Sequence, residues 1–155
     1  MIIDGKYTNS ITEMTIEIEC PANRRIFATV PRGNEADVDI AVKSSLKAFR
    51  SWSKVMPKER GKILLQIADA IEIEKEDIAK IIATETGNAI KTQARPEINL
   101  VVDIFRYFGG LSSELKGETI PLGEHVLSYT RREPLGVVGA IIPWNAPVML
   151  GACKI

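Results

Sequence analysis

The sequence predicts an α/β protein in which β-hairpins, a helical layer and a β-arm precede the first strand of a parallel sheet. Three observations lead to this fold class. Residues 1–31 contain short segments of β-type alternation, residues 34–117 carry apolar side chains at helical spacing, and Gly136 to Ile142 contains no polar side chain. Such an uninterrupted apolar run is typical of a strand that helices cover on both faces.

The first 31 residues predict short antiparallel strands. Ile2–Ile3 and residues 6–8 flank an Asp-Gly turn, and the segments 14–20 and 25–30 flank a second turn that contains proline and asparagine. Pro31 closes the last of these segments. We therefore expect a hairpin pair or a short meander before the helices.

The helical layer begins at the change of period after residue 33. Asn34 is a suitable N-cap, and acidic residues follow it in the first turn of a helix predicted over residues 35–52. The inner face of that helix is apolar. The stripe consists of Val38, Ala41, Val42, Leu46 and Phe49.

Three further helical segments are predicted in the same layer. Pro57 opens a helix that the charged cluster Glu72 to Asp77 is expected to break or bend, and Gly87 ends the segment after it as a C-cap. Pro96 opens a longer helix, which Gly109–Gly110 is expected to interrupt at a point of close backbone approach.

The remaining chain returns to β-type patterning. Within the arm 118–134, a turn at residues 121–123 precedes the alternating segment Val126 to Glu133, which is typical of an exposed strand. Residues 135–155 then combine the apolar strand with a helix that starts at Pro147. Because a buried strand needs neighbours, we expect the chain to be the front part of a larger protein.

The bulk properties exclude several classes of protein. Acidic and basic residues balance at 20 each, so no overall field attracts nucleic acid or an anionic membrane. No basic leader, apolar leader core or membrane-spanning run is visible, which predicts a cytoplasmic protein. Cys20 and Cys153 stand far apart, so their spacing predicts neither a metal site nor a disulfide framework.

The residues alone give few candidates for chemistry. His125 lies in a turn signal, where an exposed structural role is favoured over general-base work. The segment Gly136 to Gly139 lacks the spacing of a dinucleotide-binding glycine motif. Asn145 follows the apolar strand and has two interpretations, a helix cap or an oxyanion donor, of which the cap is favoured. Trp144 is interpreted as packing.

The segment Tyr129 to Asn145 nevertheless closely resembles the one that leads to the Pro-Trp-Asn motif of the NAD(P)-dependent aldehyde dehydrogenase superfamily. The resemblance covers essentially all 155 residues, as the amino-terminal third of that family. Further matching segments are Ile3 to Lys6, Pro21 to Pro31, Glu85 to Gly87, Phe105 to Gly110 and Lys116 to Pro121.

This resemblance implies a fold, an assembly and a reaction. Residues 135–155 would begin a Rossmann-type cofactor domain that is truncated here, and residues 118–134 would be an oligomerisation arm of a homo-dimer or homo-tetramer. In such enzymes a cysteine thiolate attacks an aldehyde to give a thiohemiacetal, hydride passes to NAD or NADP, and the thioester is hydrolysed to a carboxylic acid.

The resemblance also assigns site residues. It makes Asn145 the oxyanion-hole amide and thereby reverses the preference for a cap. The residues matched to the cofactor crevice are Ile141, Ile142, Pro143 and Trp144. Those matched to the substrate entrance are Leu100, Ala146, Met149, Leu150, Cys153 and a site lysine, Lys154. Because several relatives carry bulky aromatics where Ala146 and Cys153 stand, we expect a roomier entrance here.

The nucleophilic cysteine and the general-base glutamate of that family match no position among these residues. Cys153 falls at an entrance position and is not expected to be the nucleophile. We therefore expect the 155 residues to be inactive alone. The alternative is a non-catalytic interaction module that keeps only the helical layer and the β-arm.

Overall fold

The computed structural model describes all residues, 1–155, and contains three two-stranded antiparallel sheets and four α-helices. The strands are β1 (Ile2–Ile3), β2 (Lys6–Tyr7), β3 (Thr15–Cys20), β4 (Arg25–Pro31), β5 (Thr119–Pro121) and β6 (Leu127–Tyr129). The helices are α1 (Glu35–Trp52), α2 (Pro57–Thr86), α3 (Arg95–Leu111) and α4 (Pro147–Ala152). A π-helical turn (Ile90–Ala94) precedes α3, and a 3-10 turn (Ser112–Glu114) follows it.

The predicted amino-terminal strands are confirmed as two hairpins. β1 pairs with β2 across the Asp-Gly turn, where Asp4 and Gly5 both have positive φ. β3 pairs with β4, and the register shifts between Ile18 and Glu19. The buried Cys20 lies at the end of β3.

Helix α1 has the predicted bounds and the predicted cap. Asn34 accepts from the Asp37 amide, and the Asp37 side chain accepts from the Asn34 amide, which completes a capping box. Asp37 also ties the preceding loop to the helix, because it accepts from the Ser10 hydroxyl at 2.7 Å and from the Ile11 amide at 3.0 Å. The bond from Ser10, with those from the two backbone amides, lowers the pKa of Asp37. The apolar stripe of α1 is not buried in a core. Val38, Val42 and Leu46 are exposed, and Ala41 and Phe49 are half-buried.

The predicted break at the charged cluster is wrong, because α2 runs without interruption for 30 residues. The cluster is compatible with a helix, since Glu72 and Lys75 pair at 3.8 Å and Asp77 and Lys80 pair at 2.7 Å with helical spacing. Glu76 also pairs with Arg95 of α3 at 2.6 Å. Gly87 ends α2 as predicted, with a left-handed φ of 78°.

The predicted interruption of α3 is also wrong, because the helix continues through both glycines to Leu111. The predicted close approach does occur at one of them, where α2 and α3 cross. An added Cβ on Gly61 would lie 2.5 Å from the Gly109 carbonyl oxygen, whereas a Cβ on Gly110 would meet no atom within 4 Å. The two helices are therefore close-packed at Gly61 and Gly109.

The core lies between α2, α3 and α4. One buried cluster contains Ala68, Val101, Val102, Phe105 and Ala152. A second contains Ala79, Ile82, Ala94 and Ile98. Val148 of α4 packs against both. The short helix α4 is thus held by side chains from two longer helices. Phe108 on α3 and Leu115 shortly after it lie outside this core, and their side chains are 55% and 72% exposed.

The predicted buried strand is absent, because no strand forms between residues 130 and 146. Leu135 and Ile141 are 94% and 97% exposed. A parallel strand is stabilised by hydrogen bonds to its neighbours, and the three sheets present are separate hairpins that offer this segment no partner. Residues 126–133 do contribute an exposed strand, β6, although only three of them pair with β5. None of the helices is long and apolar enough to cross a membrane.

Candidate functional site

The candidate site is the turn that leads into α4. Pro147 opens this helix as predicted, and the N-cap position is occupied by Ala146, which supplies no side-chain hydrogen bond. The interpretation of Asn145 as the helix cap is therefore wrong. Asn145 lies one residue earlier in an exposed turn.

A distant glutamate satisfies the first amides of α4. Glu97, on the first turn of α3, is only 8% exposed. Its Oε1 atom accepts hydrogen bonds from the amides of Val148 and Met149, both at 3.1 Å. Pro147 has no amide hydrogen, so these are the first two donors of the helix.

A second contact holds Asn145 itself. The Asn88 Nδ2 atom donates to the Asn145 backbone carbonyl at 3.1 Å. Asn88 follows the Gly87 cap of α2, and its own amide donates to the Thr86 hydroxyl at 3.1 Å. Because the bond to Asn145 uses its carbonyl, the side-chain amide of Asn145 is left for another partner.

The residues matched to a cofactor crevice lie directly before Asn145. Ile141 and Trp144 are 97% and 74% exposed, Pro143 is exposed, and Ile142 is half-buried. All four side chains are apolar, and none of them carries a charge that would hold a phosphate. The expectation that Trp144 serves as packing is not met in this chain.

Of the residues matched to a substrate entrance, five lie on or beside α4 and one, Leu100, lies on α3. Ala146, Met149 and Leu150 are half-buried, and Met149 packs against the core. Cys153 and Lys154 are exposed. Cys153 borders a cleft of about 190 Å³. The other residues of this cleft are all hydrophobic: Leu64, Ile104, Phe105, Phe108, Ala152 and Ile155.

Reasoning from the sequence missed Glu97 and Asn88. Glu97 does leave a signal, since it lies four residues before Val101 and eight before Phe105 on the apolar stripe of α3. A carboxyl group on a buried stripe requires a partner, although the pattern does not say which. Asn88 leaves no such signal, because its partner is 57 residues away. His125 is exposed in the turn between β5 and β6, as the structural interpretation predicted.

The model of the aldehyde dehydrogenase family matches residues 7–155. Aldehyde dehydrogenase 1 of Tanacetum cinerariifolium is 40% identical over 100% of this chain and 32% of its own length. The fold is similar to a variant of aldehyde dehydrogenase from Bacillus cereus, with a TM-score of 0.93, 36% identity, and coverage of 99% of this chain and 32% of that one.

A further similar structure is a variant of betaine aldehyde dehydrogenase from Staphylococcus aureus in complex with NAD+. Its TM-score is 0.91 and its identity 31%, and the match covers 99% of this chain and 32% of that one. The present chain therefore spans about a third of the length of the relatives that it matches.

Proposed function

The chain belongs to the aldehyde dehydrogenase family, and on that premise we propose that it is the part of an NAD(P)-dependent aldehyde dehydrogenase that presents the oxyanion donor Asn145. The reaction is the oxidation of an aldehyde to a carboxylic acid. Because the chain spans about a third of its relatives, the activity is proposed for the longer polypeptide that contains it.

The observation that carries this proposal is the state of Asn145 in the turn before α4. Its carbonyl is bound by Asn88, while its side-chain amide is exposed and uncommitted. When a thiolate adds to an aldehyde carbon, the carbonyl oxygen gains negative charge. An amide that is already fixed beside that oxygen stabilises the developing charge without reorganisation.

The segment before Asn145 is proposed to contact the cofactor. Ile141, Ile142, Pro143 and Trp144 offer apolar surface and backbone groups to a nicotinamide dinucleotide, as their exposure supports. When bound, NAD or NADP supplies the hydride acceptor of the reaction. The Staphylococcus aureus relative in complex with NAD+ supports the choice of this cofactor class.

The entrance to the aldehyde site is proposed to lie along α4. Its side chains are small at two of the matched positions, Ala146 and Cys153. Small side chains leave room for a bulky aldehyde, whereas aromatic ones at these positions would fill it. Leu100, Met149, Leu150 and Lys154 are proposed to complete the entrance.

The 155 residues are proposed to be inactive alone, because neither cysteine is placed as a nucleophile. Cys20 is buried at the end of β3, and Cys153 borders a cleft lined by hydrophobic residues that offer no base. A thiol needs a base or a positive neighbour to be activated as a thiolate nucleophile. The nucleophile is therefore proposed to lie in the rest of the longer polypeptide.

Assembly as a homo-dimer or homo-tetramer through the β5–β6 hairpin is part of the same proposal. Leu127 and Tyr129 of β6 are 80% and 66% exposed. The strand pairs on one side only, with β5, so its other edge is open to a partner strand.

The test is an assay of the complete polypeptide encoded by the reading frame that contains these residues. We expect aldehyde-dependent reduction of NAD or NADP by the complete product and none by the 155 residues alone. A complete product that reduces neither cofactor with small, bulky or aromatic aldehydes would overturn the proposal. It would favour the alternative of a non-catalytic interaction module.

A further inference from the structure

We propose that Glu97 and Asn88 act together as positioning residues that fix the conformation of the Asn145 turn. The effect of this positioning on catalysis rests on the proposed function of Asn145. The fixing of the turn itself does not rest on that function, because it follows from contacts within the chain.

The two contacts bracket the turn on both sides. Asn88 holds the carbonyl of Asn145, and Glu97 holds the amides of Val148 and Met149. Only Ala146 and Pro147 lie between these anchors. The direction in which the Asn145 side chain leaves the backbone is therefore set from the loop after α2 on one side and from α3 on the other.

Helix α4 depends on such support. It has only six residues, which is far below the length at which an isolated helix is stable in water. Its N-cap, Ala146, has no side chain that can accept a hydrogen bond. The single Oε1 atom of Glu97 accepts hydrogen bonds from both available amides. Glu97 therefore takes the place of an N-cap side chain, although it lies on a different helix.

The remaining anchors of α4 are apolar side chains. Ala152 belongs to the core beside Phe105, and Val148 and Met149 pack against the same cluster. Apolar packing of this kind fixes the position of the helix but has little directional preference. Loss of the Glu97 hydrogen bonds is therefore expected to release the start of α4 while its body stays docked.

The first arm of the test uses the complete polypeptide and measures amide hydrogen exchange. In Glu97→Leu we expect the amides of Val148 and Met149 to exchange about tenfold faster or more, the factor that corresponds to roughly one lost hydrogen bond. Glu97→Gln keeps an oxygen at Oε1 and is expected to restore most of the protection. The matched control is Asp103→Asn, which alters an exposed acid on the same helix.

Asn88→Ala keeps the test decisive if Glu97→Leu does not fold. Asn88 is a half-buried loop residue whose removal leaves the core clusters intact. We expect the NMR signals of the Asn145 backbone and side-chain amides to shift and broaden in this variant. Equal exchange of Val148 and Met149 in Glu97→Leu and Asp103→Asn would overturn the role of Glu97. Unchanged Asn145 signals in Asn88→Ala would overturn the role of Asn88.

The second arm uses the complete polypeptide and separates this proposal from the proposed function. A loosened turn is expected to lower kcat by up to about 100-fold, the cost of a small misplacement of a catalytic group. The KM for the aldehyde should change little, and Glu97→Gln should recover most of kcat. If exchange responds as expected but the unaltered complete polypeptide oxidises no aldehyde, the proposed function fails while the positioning of the turn stands.

Discussion

The crossing of α2 and α3 gives a prediction in which two helical glycines respond to the same substitution with opposite sign. The perturbation is Gly61→Ala, and its control is Gly110→Ala on the facing helix. Both replace glycine within a helix, so each gains about 1 kcal/mol of helix propensity. They differ in what the new methyl group meets.

The magnitude follows from the spacing at the crossing. The new Cβ of Gly61→Ala would lie 2.5 Å from the Gly109 carbonyl oxygen, and the side chain of Ser112 is also in the way. Carbon atoms in contact lie about 3.5–4.0 Å apart, so the helices must separate by roughly 1 Å. Overpacking of this kind costs about 1–3 kcal/mol. The propensity gain offsets part of it, which leaves a net loss of up to about 2 kcal/mol.

Gly110→Ala has no such cost, because its Cβ would meet no atom within 4 Å. It should therefore stabilise the chain by up to about 1 kcal/mol. For a domain of this size, 1 kcal/mol corresponds to roughly 2–4 °C in Tm.

The assay is thermal unfolding followed by far-ultraviolet circular dichroism on both variants and the unaltered chain. We expect a lower Tm for Gly61→Ala and a slightly higher Tm for Gly110→Ala. An equal rise in both would refute the close crossing, since it would show that helix propensity alone decides the two outcomes.

Three further predictions concern the core, the pH dependence and the entrance. Phe105→Ala should lower the free energy of unfolding by about 3–5 kcal/mol in urea titrations, because Phe105 is only 4% exposed, whereas the same change at the half-exposed Phe108 should cost much less. Because folding lowers the pKa of Asp37, the unfolded state binds the proton more tightly than the folded state. The stability that Asp37 contributes is therefore present above its unfolded pKa of about 3.9, and it is lost as the pH falls through the folded pKa. Asp37→Asn should lack that loss of stability at acidic pH. If the free energy of unfolding fell with pH by the same amount in both chains, the assignment would be contradicted. In the complete polypeptide, Ala146→Phe should reduce kcat/KM for bulky aldehydes more than for small ones, and an unchanged ratio would remove the argument for a roomy entrance.

The features that the sequence predicted well are the local ones. The start of α1 depends on Asn34 and Asp37, which lie three residues apart, and the end of α2 depends on Gly87 alone. Such signals lie within one turn of the chain, so a single sequence contains them. The hairpins follow for the same reason, since their turn residues are adjacent to the strands that they join.

The predictions that failed depend on distant partners. The composition of the charged cluster of α2 predicts a break, yet the cluster stays helical, with local pairs at helical spacing and a pair between Glu76 and Arg95, 19 residues away. The apolar run after Leu135 has the pattern of a buried strand, but a strand is decided by its neighbours and this segment has none in the chain. The support of the Asn145 turn leaves little signal in the sequence, because Asn88 lies 57 residues from Asn145 and Glu97 lies 51 residues from Val148.

The resemblance to aldehyde dehydrogenases assigns Asn145 a catalytic role, while the residues alone favour a helix cap. The structure removes the cap interpretation, because Ala146 occupies that position and Glu97 binds the amides that a cap would bind. The catalytic interpretation then rests on the free side-chain amide.

The most direct measurement is therefore the steady-state kinetics of Asn145→Ala in the complete polypeptide, with Asn99→Ala, an exposed asparagine on α3, as the matched control. If Asn145 donates to the oxyanion, kcat for aldehyde oxidation should fall by about 100- to 1000-fold, the usual cost of one lost oxyanion donor. The affinity for the cofactor should stay the same, and Asn99→Ala should leave kcat unchanged. A kcat for Asn145→Ala within about threefold of the unaltered enzyme would contradict the central claim, since that is far below the loss expected for such a donor.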